Sequence, residues 1–334
     1  MTSVCAFVLT RNRKELLIEC VQALRAQTRP PERILIVDNA STDGTEQLLR
    51  DEGVLADPLV SFHRTDDNRG SAGGYAEGVR LGLAEGTEWL WLMDDDAEPR
   101  PDALERLLAA PPADDPAVAM VCSKVVQPDG SVETLHRCRL GRFVYPLPLG
   151  AYAPGTSASF ECASFVGMMI RSSVAQRIGP PRAELFINYD DVEFSLRARD
   201  VGDIRLVPES VVVHKLHIGG NAVTRRSRFW NRLLGQHYTS ASWEGYWKNL
   251  CGVRNFMWIK HRRRRVTPLA FAGLTATYLV KSTLYDRRPL RRLPWIVRFA
   301  LAGRRGDFSG PGPEEWARIT AATTAGGSSP PRSP

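Results

Sequence analysis

The six cysteines, Cys5, Cys20, Cys122, Cys138, Cys162 and Cys251, include no C-x-x-C pair, which excludes a zinc ribbon and a thioredoxin-type redox site. Scattered singly, they read as reduced thiols of a cytosolic protein. No run of 18 or more apolar residues occurs, so no membrane-spanning helix is expected. The opening MTSVCAFVLTRNRKE has no basic leader ahead of a full apolar stretch. It reads as a first β-strand rather than a secretory signal. No G-x-S-x-G elbow is present to suggest a serine hydrolase, and no internal repeat is evident. What remains is ordinary: 334 residues, 24% charged and 43% hydrophobic, enough to bury a large core in one or two domains.

Charge is unevenly placed. The net +7 arises in residues 254–305, which hold 14 Lys and Arg against the single Asp286, while residues 1–253 are net negative. There, Arg262 to Arg265 precede the apolar stretch 268–280. Lys281, Arg287, Arg288, Arg291 and Arg292 follow it, then Trp295 and Phe299. A short apolar helix between basic clusters suits the interface of an anionic membrane and is too short to cross it. Nucleic acid would also answer such charge, but no nucleic-acid-binding motif accompanies it and that partner is not expected. An ordinary solvated basic helix pair is the remaining reading.

Apolar runs and helical spacings alternate from the N-terminus. Strands are expected at 4–10, 33–37, 60–63 and 89–93, with helices at 14–26, 45–52 and 72–83. This alternation predicts an α/β fold whose mainly parallel sheet is flanked by helices, with ligands outside the carboxyl ends of its strands. Thr10, Asp38 and the run Asp94-Asp95-Asp96 all fall at such ends. After a strand at 118–121, residues up to 160 are rich in Pro and Gly and read as irregular. Further strands are expected at 164–170, 205–207 and 211–213, and helices at 173–178 and from Asp190.

Three adjacent carboxylates repel one another unless a cation sits among them. Hard oxygen donors suit Mg²⁺ or Mn²⁺, and a strand's alternation lets Asp94 and Asp96 aim one way while Asp95 diverges. A solvated acidic turn is the bland alternative. Asp38, closing a buried strand, is placed to accept from a base or ribose, and the NASTD that follows offers N-caps for the next helix. In NRGSAGG, the small residues before a helix let backbone N–H groups approach an anion, though the run does not match G-x-G-x-x-G. Asp190, Asp191 and Glu193 open a helix. There they either cap it or present a carboxylate that takes a proton from a hydroxyl. His214, closing VVV, is a candidate third metal ligand, with His217 as its competitor.

Taken in order, VLTRN, IVDNASTDGT, NRGSAGGYAEG, WLWLMDDDAEP, NYDDVEFSLRA, a downstream His and YWKNLCGVRN form a pattern more specific than any member. Over about residues 3 to 260 the chain resembles the family 2 glycosyltransferases of the GT-A fold, particularly the bacterial rhamnosyl- and galactofuranosyltransferases. The resemblance implies a nucleotide-sugar-binding fold and inverting, metal-dependent transfer. It puts Thr10, Asn12, Asp38 and Asp95 in the nucleotide pocket, and Asn68, Gly70 and Gly73 near ribose and phosphates. Asp94, Asp96 and His214 become ligands of Mn²⁺ or Mg²⁺, Asp191 the general base and Asp190 its support. The donor is expected to be UDP-galactofuranose or dTDP-rhamnose. The acceptor is expected to be a saccharide or polyprenyl-linked glycolipid of the cell envelope, and the aromatic, Gly- and Pro-rich composition of residues 139–160 suggests an acceptor-side loop. The processive Q-x-x-R-W motif is absent, implying addition of one or a few sugars. The expected organisation is a GT-A domain over 1–253, a basic helical segment over 254–305 and a tail over 306–334, disordered at its end. Such a chain is expected in the cytoplasm, at the inner face of the membrane. A sugar nucleotidylyltransferase is a rival, but LTRNRKE lacks the glycines of a triphosphate loop. A non-catalytic membrane-docking scaffold of the same fold is the second rival.

Overall fold

The structure is a computed structural model that describes residues 2–215, 225–234, 240–264 and 266–325. It divides into two compact units, Met1–Phe186 with Asp190–His217, and Ile187–Tyr189 with Ile218–Pro334.

The first unit contains strands β1 (Val4–Thr10), β2 (Arg33–Asp38), β3 (Val60–Arg64), β4 (Trp89–Asp94), β5 (Ala97–Pro99), β6 (Val118–Val126), β7 (Arg137–Leu140), β8 (Val144–Pro146), β9 (Cys162–Ala163), β10 (Met168–Arg171) and β11 (Asp203–His214). Its helices are α1 (Lys14–Arg25), α2 (Thr45–Asp51), α3 (Gly70–Ala84), α4 (Ala103–Ala109), α5 (Pro111–Asp114), α6 (Ser172–Ile178) and α7 (Asp190–Arg199). Eight strands form one sheet in the order β3-β2-β1-β4-β10-β6-β11-β5. The β3-β2-β1-β4 half is parallel, as is β6 with β11, while β10 and β5 run antiparallel to their neighbours.

β1 is buried along its whole length because both faces are covered. Its even positions Val4, Ala6 and Val8 pack with Leu17, Val21 and Leu24 of α1. Its odd positions Cys5, Phe7 and Leu9 pack with Tyr75 and Val79 of α3. Parallel register then delivers the polar strand ends to one edge: Thr10 pairs with Asp38, and Leu9 with Asp94.

Three differences from the sequence reading stand out. The segment expected to be irregular carries the rest of β6 and two strands, β7 and β8, of a small sheet β8-β7-β9 that β9 completes just beyond it. The two short strands expected at 205–207 and 211–213 are one strand, β11, with a register shift between Val207 and Val211. And β5, a three-residue edge strand directly after the acidic run, had no periodicity to reveal it.

The second unit is helical: α8 (Arg225–Leu234), α9 (Tyr246–Arg264), α10 (Pro268–Tyr285), α11 (Pro289–Arg305) and α12 (Pro313–Ala325). The division expected at 253 falls inside α9, whose Leu250, Cys251, Val253, Phe256 and Met257 are all buried. Trp316 of α12 is fully buried and donates Nε1–H to the Trp243 carbonyl at 2.9 Å. Arg292, grouped by sequence with the basic surface, is also buried. It pairs with Asp286 at 3.1 Å and lies over the Tyr246 ring. Residues 326–334, where disorder was expected, lie outside the described residues. Among the described residues no helix is long and apolar enough to cross a membrane.

Candidate active site

The acidic run turns the chain from β4 into β5. Asp95 and Asp96 are buried and Asp94 is half-buried, so their charges need compensation from within. Asp95 is fully engaged. It accepts from Thr10 Oγ1 at 2.8 Å, from the Arg11 N–H at 3.4 Å and from Arg13 at 3.0 Å. Arg13 also bonds Asp96 Oδ2 at 2.9 Å. Asp94 Oδ1 accepts from the Tyr75 hydroxyl, whose ring is stacked on Phe165. The last residue of β11, His214, brings Nε2 to 3.4 Å from Asp96 Oδ1.

Asp94, Asp96 and His214 each offer one ligand atom, all within 4.8 Å of one another. Among the described residues nothing donates a hydrogen bond to the buried Asp96 Oδ1, the state expected of a carboxylate oxygen kept for a cation. Two carboxylates and an imidazole thus form a divalent-metal-binding site that suits Mn²⁺ or Mg²⁺. Burial and the Asp96 charge push Asp94 up to about 7. Burial opposes the charged form of His214, but Asp96 and Glu133 hold it up at about 9. His217, its competitor, lies outside the described residues.

α7 supplies the other carboxylates. Ser71, on α3, donates to Asp190 Oδ2 at 2.8 Å, and Glu193 is held by Arg182 and Arg197. Asp191 is different. Its Oδ1 accepts from the Val192 N–H at 2.7 Å, and among the described residues no hydrogen bond reaches Oδ2. Burial, then the Asp190 charge, raises Asp191 to about 8, and the charge of Asp94 adds to this. Ser71 and Tyr75, four residues apart on α3, hold Asp190 and Asp94 from one face of that helix. Burial also raises Asp190, to about 6. Ahead of α7, Phe186, Asn188 and Tyr189 all hold left-handed φ angles near 65°, a costly backbone of the kind found at functional sites.

The residues expected on the nucleotide side lie along the edge that carries Thr10 and Asp38. Thr10 is buried with its hydroxyl committed to Asp95. Asp38 is fully buried and accepts from the Ser41 N–H at 2.8 Å. Asn12, at φ 52°, accepts from the Thr42 N–H at 2.7 Å. Asn68 Oδ1 accepts from the Gly70 N–H at 3.1 Å. Gly70 and Gly73 are both buried and serve close packing: a Cβ on Gly70 would fall 2.1 Å from the Phe186 carbonyl oxygen.

A second group was not anticipated. Glu133 Oε2 lies 2.9 Å from His214 Nδ1 and 2.9 Å from His136 Nε2, and His136 Nδ1 is 2.6 Å from Ser164 Oγ. Burial lowers His136 to about 4, whereas the two histidines carry Glu133 down to about 2 against its burial. Its one sequence trace is the spacing Glu133-x-x-His136, which lies in the segment read as irregular. A cavity of about 650 Å³ lies elsewhere, lined by Arg106, Pro111, Asp203 and Arg205. Asp203 and His214 are the two ends of β11, roughly 35 Å apart along the strand.

Comparison with known proteins agrees with this geometry. The sequence profile of glycosyl transferase family 2 matches residues 5–178. The galactofuranosyltransferase GlfT1 of Mycolicibacterium smegmatis is 30% identical over 200 residues, and that of Mycobacterium tuberculosis 34% over 209. Each alignment covers 58% of this chain and 64% of the relative. Among solved structures, GalNAc-T7 with UDP, GalNAc and Mn²⁺ superposes with a TM-score of 0.60 at 13% identity, over 97% of this chain and 57% of that one. Staphylococcus aureus TarS 1–349 gives 0.50 at 14% identity, over 96% and 92%. At such identities the structural likeness speaks for the fold alone.

Proposed function

The chain belongs to glycosyl transferase family 2, and from that premise we propose that it is an inverting, metal-dependent transferase. It moves a sugar from a nucleoside-diphosphate donor to an acceptor hydroxyl in cell-envelope polysaccharide assembly. UDP-galactofuranose and dTDP-rhamnose are the favoured donors. The observation that carries this reading is that α3 ties the two parts together: Tyr75 donates to Asp94 of the three-donor cation site, and Ser71 donates to Asp190, the neighbour of Asp191.

Asp94, Asp96 and His214 hold the cation, which when bound neutralises charge developing on the diphosphate leaving group. Asp191 Oδ2 takes the acceptor hydroxyl's proton. The oxygen so freed forms its bond to the anomeric carbon as the bond to the diphosphate breaks, and the electron pair departs with the nucleotide. One displacement inverts the anomeric centre. Asp190, held by Ser71, keeps the first turn of α7 in place. Asp95, Thr10 and Arg13 brace the acidic turn, while Asn12, Asp38 and Asn68 shape the nucleotide side. The 139–160 segment, with half-exposed Tyr145 and exposed Leu149, faces the acceptor. The basic second unit rests on anionic lipid, which suits a polyprenyl-linked acceptor.

Incubation with each donor, Mn²⁺ and a glycolipid acceptor tests this. Release of free nucleoside diphosphate together with a glycosylated acceptor is expected. Release of pyrophosphate from a sugar phosphate and a nucleoside triphosphate would identify a nucleotidylyltransferase instead.

A further inference from the structure

We propose that Glu133 is a positioning residue for the cation site, acting through His214, with His136 and Ser164 holding Glu133 in place. The inference rests on reading Asp94, Asp96 and His214 as the metal ligands.

An ionised carboxylate only accepts hydrogen bonds. Glu133 Oε2 stands 2.9 Å from a ring nitrogen of each histidine, so both rings must donate to it: His214 through Nδ1–H and His136 through Nε2–H. For His214 this leaves Nε2, the nitrogen that faces Asp96 Oδ1, as the one that offers a lone pair to a cation when the cation displaces its proton. For His136 it leaves Nδ1 as an acceptor, and the Ser164 hydroxyl stands at 2.6 Å to supply the proton. The chain Ser164–His136–Glu133–His214 is thus consistent at every link, with all three ionisable members buried.

Glu133, His136 and His214 also lie close enough to be considered a cation site of their own. Their polar atoms already satisfy one another, and a cation there would have to strip the proton from His136 and displace it from Glu133. The geometry therefore favours a clamp. The clamp is rigid because the next residue, Arg137, is fully buried and donates to the carbonyls of Ser123, His136 and Val166. A carboxylate on the far nitrogen of a metal-binding histidine fixes its tautomer and ring orientation, and removing such a partner typically weakens metal affinity by about 10- to 100-fold.

Glu133→Gln keeps the shape but replaces the charged oxygen that both rings share with a neutral amide, which sets either a weaker acceptor or a donor at that one point. The test is a titration of the full chain with MnCl₂ alone, read by the electron paramagnetic resonance signal of free Mn²⁺. Thermal melting of the metal-free variants checks that each folds. Glu133→Gln should bind Mn²⁺ about 10- to 100-fold more weakly than wild type. His214→Ala should also lose affinity, and adding Glu133→Gln to it should change affinity by no more than about twofold, since the partner through which Glu133 acts is gone. Mn²⁺ affinity of Glu133→Gln equal to wild type, or a loss of the same size in the His214→Ala background, overturns the proposal. Should Glu133→Gln fail to fold, Glu133→Asp replaces it. It keeps the charge but withdraws it by one methylene, and wild-type affinity there would equally overturn the assignment. If wild type and His214→Ala bind Mn²⁺ alike, the cation site itself is wrong, a failure separate from that of Glu133.

Discussion

Asp191 sits where water cannot fully solvate its charge and beside a second carboxylate, and both effects favour its protonated form. A general base must first lose that proton. With its pKa raised to about 8, the active fraction falls as pH drops below that value. The rate at subsaturating substrate should therefore rise about tenfold per pH unit toward 8 and then level off. A profile flat between neutral and alkaline pH would contradict the assignment. The acidic run and the Asp190-Asp191 pair were legible because each lies at the end of an element whose period is plain: a buried strand in one case, a helix in the other. Glu133 and His136 were not, because their neighbours form no long periodic element and their partner His214 lies far along the chain. What the sequence could not show for Thr10 and Asp95 was that they turn toward each other.

α3 shows how an element can be located by its pattern while its purpose stays hidden. Its small residues suggested an approach to phosphate. In the folded chain the glycines of this helix also let it lie against β1: a Cβ on Gly78 would fall 2.0 Å from the Phe7 ring, and one on Gly74 would fall 2.4 Å from Leu9. The same helix carries Tyr75, which holds Asp94, and Ser71, which holds Asp190. Gly78→Ala should destabilise the protein by about 1–3 kcal/mol through overpacking. Lifting Tyr75 off Asp94 should also weaken Mn²⁺ binding. Chemical denaturation and a Mn²⁺ titration check the two effects, and unchanged stability would show that the contact relaxes freely. The parallel strands β1, β2 and β4 were readable because burial on both faces makes each a nearly continuous apolar run, whereas the edge strand β3 is only half-buried. The β8-β7-β9 sheet was not, since its strands have two to four residues and sit among Pro and Gly. β11 was split in two because Pro208-Glu209-Ser210 interrupts its apolar pattern at the register shift.

Across the whole chain, acidic and basic character are divided between the two units. Part of the basic excess is structural, as the buried Arg292 and Arg254 show, but Arg287 and Arg288 are exposed beside Leu290, itself 82% exposed. A basic residue near an anionic lipid surface contributes roughly 1 kcal/mol. Replacing both arginines with alanine should thus weaken partition onto phosphatidylglycerol vesicles on the order of 30-fold. Phosphatidylcholine vesicles should bind neither form, and equal sedimentation of variant and wild type would remove the membrane contact from the account. The central claim is that the acidic turn and the start of α7 serve one reaction in different ways. Calorimetric binding of UDP or dTDP with Mn²⁺, run beside turnover for Asp191→Asn and Asp96→Ala, tests it most directly. Asp191→Asn should bind nucleotide like wild type yet lose about 10²- to 10⁴-fold in rate, whereas Asp96→Ala should lose metal-dependent binding as well. Near-normal turnover by Asp191→Asn would contradict the account.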